Sequence, residues 1–199
     1  MGSKLKKKSK KSYCGFSPKE AQNIFKTSKV DMARDNIVNR SYKDFVILGY
    51  DLLHIHFGFG LKRIIRCENL INTYIENARN DKNMRGRALA YVLKEKYDID
   101  VVKIVNRLPL NPIMHLYYKG NLINRMDTFD IVKASLFNYM AFILTILKTA
   151  FRFSVNDINK FVDDYIELFE FLGDEDKYSL TIPIIVENLA DEIKYVCDY

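Results

Sequence analysis

Along most of the chain apolar residues recur three and four positions apart, and nowhere do apolar and polar residues alternate with a period of two. This pattern predicts an all-α protein, a helical bundle built from helical hairpins. Ser17-Pro18-Lys19-Glu20 has the form of a capped helix start, with a short helix expected to about residue 26. Asp31 is placed to cap a longer helix in which Phe45, Leu48, Leu52 and Leu53 mark a buried face up to Phe57. Gly58-Phe59-Gly60 then breaks the pattern, because glycine alone takes a positive φ without steric cost. Later helices are expected over 61–78, 85–97, 101–105, 127–150, 154–172 and 183–197. Pro109, Pro112, Gly120 and three asparagines mark 107–126 as an irregular connector. That connector is the expected boundary between an N-terminal helical unit at 13–106 and a C-terminal acidic unit at 127–199.

A shift of 94 residues lays Leu53, Phe57, Phe59 and Ile64 over Leu147, Phe151, Phe153 and Ile158. The same shift lays Phe45, Leu48 and Leu52 over Tyr139, Phe142 and Ile146. In both stretches an apolar helix reaches Phe-x-Phe, turns at a small residue, Gly60 or Ser154, and restarts as a second helix. The match is either a duplication or two unrelated hairpins sharing one period. Under duplication the corners are architectural, their rings plugging the gap between helices.

Composition adds bounds. With 48% hydrophobic, 13% aromatic and 28% charged residues, the 199-residue chain is an ordinary folded protein. No uninterrupted apolar run approaches the roughly 18 residues of a membrane span, so no membrane partner is expected. Gly2 precedes a lysine run, but position 6 is Lys6 where a myristoylation signal needs Ser or Thr. Cys14, Cys67 and Cys197 are odd in number and lack C-x-x-C spacing, which suits a reducing cytoplasm.

Charge is polarised. The formal +6 of the chain resides entirely in Lys4, Lys6, Lys7, Lys8, Lys10 and Lys11, because residues 13–199 carry 25 basic and 25 acidic groups. Residues 1–12 are expected to form a disordered basic arm that attracts polyanions. Lys62, Arg63 and Arg66 open the helix after the glycine corner, as contact residues do in a DNA-reading helix; the alternative is a solvated basic face. The corner has neither the spacing nor the preceding strand of a phosphate-gripping loop. His54 and His56 fall on opposite sides of a helix, so neither a metal nor any other cofactor is expected. No catalytic motif is present, and a non-enzymatic protein is expected.

The segment His54 to Ile64, HIHFGFGLKRI, followed by LAYVLKEKYDIDV, resembles small phage- and prophage-encoded helical proteins with an FGFG-x-K-R corner. The matching positions are Phe57, Gly58, Phe59, Gly60, Lys62, Arg63, Leu93, Glu95, Ile99 and Val101, within residues 42–103. The resemblance implies a phage accessory protein of helical fold, working in the cytoplasm of a bacterial host, and transfers no catalytic residue. Two binding routes follow from the charge. Lys6, Lys7, Lys8, Lys10, Lys11, Lys62, Arg63, Arg66, Arg85 and Arg87 would contact DNA or RNA. Asp163, Asp164, Asp174, Glu175 and Asp176 would instead mimic phosphate toward a host nucleic-acid-handling complex, as an anti-CRISPR inhibitor does. A third expectation is a homodimer assembled through the apolar helix at 136–153.

Overall fold

A computed structural model describes residues 18–118 and 122–197. The arm lysines and the Ser17 cap lie outside these residues. Among the described residues there are eight α-helices and no strand. They are α1 (Pro18–Phe57), α2 (Leu61–Asn80), α3 (Gly86–Tyr97), α4 (Val101–Arg107), α5 (Arg125–Thr149), α6 (Val155–Gly173), α7 (Glu175–Tyr178) and α8 (Ile182–Ile193). Short 3-10 turns span Lys82–Met84 and Asn111–Leu116.

The two helices expected before residue 57 are one. Neither proline nor positive φ interrupts the chain between Pro18 and Gly58. Asp31 therefore sits inside α1, where an exposed aspartate lowers helix propensity by only about 0.7 kcal/mol. Asn124 rather than Asp127 caps α5, accepting the Asp127 amide at 2.8 Å. Ser154 and Asp157 form the expected capping box of α6.

The two halves follow one plan. Helices α1, α2 and α3 recur as α5, α6 and α8, and the turn Lys82–Met84 recurs as α7. The shift is 94 residues through the corner and 96 in the third helix, where Leu89 and Leu93 match Ile185 and Leu189, all four buried. Even buried polar positions coincide: Ser41 with Ser135, and Asp51 with Thr145. Each half keeps its own plan but packs on the other. Helix α1 lies on α5 and α8, while α5 in turn receives α3.

One core therefore runs from Phe45 to Tyr195 across both expected units, which are not separate bodies. The connector is part of it. Leu110, Ile113, Met114 and Tyr117 are buried, and the turn carrying them packs on α6. Helix α5 is long and apolar enough to cross a membrane, with 67% of its most apolar stretch buried in this core. Residues Tyr139 to Leu147 are all buried inside the chain, so the surface expected to drive dimerisation is already used.

Where α1 crosses α5, the mates Phe45 and Tyr139 touch, ring centres 6.4 Å apart. The Tyr165 hydroxyl donates to the Phe45 carbonyl. Gly49 permits this approach, because a Cβ there would run into the Tyr139 hydroxyl. Gly49→Ala should lower unfolding stability by about 2–3 kcal/mol, and Tyr139→Phe in the same chain should recover part of the loss. Denaturant titration of the single and double variants checks this, additive losses being the contrary result.

Candidate nucleic-acid interface

The glycine corner is built by backbone geometry. Gly58 has φ 64°, and its mate Arg152 has φ 59°. The Phe59 amide donates to Leu53 O at 3.0 Å, and the Phe153 amide to Leu147 O at 3.0 Å. A side chain then closes each corner at the same register: His54 Nδ1 lies 3.0 Å from Phe59 O, and Lys148 Nζ donates to Phe153 O at 3.0 Å.

The two corners meet each other reciprocally. Phe57 stacks on Phe153 and Phe59 on Phe151, each at 4.9 Å between ring centres. Arg66 lies 5.3 Å from the Phe151 ring centre, and its mate Lys160 lies 5.4 Å from that of Phe57. Reciprocal contacts of this kind define an approximate twofold relation. Phe59 is only 2% exposed, so it is unavailable to a ligand. Rings packed between helices were expected at each corner; the pairing of the two corners with each other escaped sequence reasoning, although Lys160 aligned beneath Arg66 was its signal.

The expected cations occupy two places. Lys62, Arg63 and Arg66 are exposed at the start of α2, with the Arg63 guanidinium 5.5 Å from the Phe59 ring centre. Arg85 and Arg87 are exposed at the start of α3, joined there by Arg79 near the end of α2. At 1.5 Å per residue the 16 residues from Arg63 to Arg79 span about 24 Å, less than one turn of duplex DNA.

The expected acidic surface is broken up. Asp163 pairs with Arg107 at 2.7 Å, and Asp164, only 14% exposed, faces His56 at 3.6 Å. Asp164 is thus largely enclosed, whereas Asp163, 60% exposed, stays open to solvent beside Arg107. Asp174 caps α7 through the Lys177 amide at 3.3 Å, and Asp176 is exposed; the Glu175 side chain lies outside the description. Among the described residues no group of three or more His, Cys, Asp or Glu could hold a metal. His54 Nε2 instead lies 2.9 Å from Glu192 of α8. Burial, helped by Glu68, pushes the Cys67 thiol up to about 12 and keeps it protonated.

No protein-family model, curated protein or solved structure matches this chain.

Asp51 makes stability depend on pH. Burial raises its carboxyl to about 6, with His54 opposing and Glu192 reinforcing the shift. A carboxyl raised in the fold favours folding when protonated; that contribution is full below the unfolded value near 4 and is lost as pH rises through about 6. The mate position carries uncharged Thr145, whose hydroxyl donates to Ala141 O at 2.6 Å. Asp51→Asn should therefore be more stable than the natural chain at pH 7, by up to roughly 3 kcal/mol, with the difference vanishing near pH 4. Thermal unfolding of both proteins across this range measures it, and parallel pH profiles would contradict it.

Proposed function

We propose that this is a non-catalytic binding protein of a phage or mobile element whose basic half engages the phosphate backbone of DNA or RNA. The reading is carried by charge divergence between halves that share one backbone plan. Helices α2 and α3 hold seven Lys and Arg against three Asp and Glu, whereas their mates α6 and α8 hold one against eight. Most of these charges face solvent, Glu68, Asp157 and Asp164 being half-buried, and the inward positions Ile64, Cys67 and Ile71 stay buried in the mates Ile158, Phe161 and Tyr165. A polyanion is attracted to one half and repelled by the other, which orients the protein on its ligand.

Lys62, Arg63 and Arg66 supply the contacts at the corner, and Arg87 those at the second place; the arm lysines add a non-specific share. Backbone contact of this type favours no base sequence. Coupling to the pairs at Asp163 and Asp164 leaves the acidic half less suited to phosphate mimicry.

The test is a titration of random duplex DNA and single-stranded RNA against salt. Binding should weaken steeply with salt, and Lys62→Ala with Arg63→Ala should flatten the log–log slope by about 2, roughly one per phosphate contact. Absence of binding to either polymer at about 50 mM salt would remove the reading.

A further inference from the structure

The two halves differ most in what covers their first and second helices. In the second half the segment from Val101 to Tyr117 does so: α4 packs on α5, and the turn Asn111–Leu116 packs on α6. Pro112 sits so close to Gly173 that a Cβ on that glycine would strike it, and the Tyr117 ring reaches Phe45 at 6.3 Å. On these two covered helices Val132, Met140 and Phe169 are fully buried.

Their mates in the first half are Val38, Val46 and Ile75. Val38 is 41% exposed, and Val46 and Ile75 are half-buried. All three line an open groove of about 950 Å³ on α1 and α2, the size of a ligand cleft. The stretch after α8, Tyr195 to Cys197, lies along one edge. Tyr42 and Tyr50 also line the groove, with their hydroxyls enclosed behind its wall.

We propose that this groove docks a short helical peptide segment of a protein partner, apolar on one face and acidic at its flanks. The apolar face is specified by the internal mate. Leu110, Ile113, Met114 and Tyr117 are all buried on or beside the single 3-10 turn Asn111–Leu116, so one short helical turn presents every anchor. The acidic flanks are specified by the rim. Exposed Arg79 and Arg85 stand where the covered half has Gly173 and Thr181. Glu68, the carboxylate in the groove, is held by the Tyr195 hydroxyl at 2.9 Å and so offers little repulsion. The same rim opposes the lysine-rich arm of this chain as occupant.

The probe is a fluorescent peptide of residues 108–118 with two aspartates added at each end, followed by anisotropy against the full chain. Saturable binding in the micromolar range is expected, reduced at least about tenfold by Val38→Glu and by Arg79→Glu with Arg85→Glu. These positions are exposed, and an unchanged circular dichroism spectrum verifies the fold of each variant. Lysines in place of the added aspartates should weaken the peptide by a similar factor. The proposal is overturned by absence of saturation up to about 500 µM, or by affinity indifferent to both variants. It is equally overturned if the peptide binds only after residues 1–17 are deleted, since the arm would then be the occupant. None of these readouts involves nucleic acid, so failure here leaves the phosphate-binding reading standing, and the reverse.

Discussion

Four phenylalanines from two corners stack across one another, and the rest of the architecture is arranged around that contact. Each corner needs a left-handed residue after its helix, so that the chain reverses while both rings point inward. Offset aromatic pairs contribute about 0.5–1.5 kcal/mol each beyond their buried area, and here two such pairs are made in reciprocal fashion. A cation from the opposite half covers two of the four rings, Arg66 on Phe151 and Lys160 on Phe57. The clamp thereby ties α1 and α2 to α5 and α6 at the point where each pair turns.

Interlocking follows from this geometry. Because the corners face one another, α1 crosses α5, and Phe45, Tyr139, Tyr165 and Phe169 fill the crossing with rings. Helix α3 is then carried onto α5, and α8 onto α1. Each half consequently leaves its apolar stripes uncovered unless the other is present. Two regions that read as separate units along the chain become one cooperative body, with the connector as filling between them.

Much of this was legible because it rests on period. The positions of α2, α3, α5 and α6 follow from three- and four-residue spacing, and the repeat from Leu53, Phe57, Phe59 and Ile64 meeting their mates. What was missed depended on long-range packing. Proline and asparagine at 109–112 disguised the connector, although Leu110, Ile113, Met114 and Tyr117 already carried helical spacing. Asp31 offered a cap that the uninterrupted α1 did not use. Asp163 does face solvent, at 60% exposed, but the enclosure of Asp164 against His56 was hidden because that partner is 108 residues away. Charge along the chain therefore located the basic clusters without showing that one of the carboxylates is enclosed.

A duplicated plan also separates what folding demands from what it leaves open. Positions that agree across the halves, such as Ser41 with Ser135, Leu93 with Leu189 and Phe57 with Phe151, lie in the core or the clamp. Positions that disagree lie on the surface and in the groove: Arg63 against Asp157, Arg79 against Gly173, Val38 exposed against Val132 buried. Gly173 is informative here, because its missing side chain is what lets Pro112 close over α6. On α2 the same register carries exposed Arg79, which puts a positive rim where α6 meets Pro112. The first half is thus specialised toward an open, basic surface, its apolar floor left to an occupant of opposite charge.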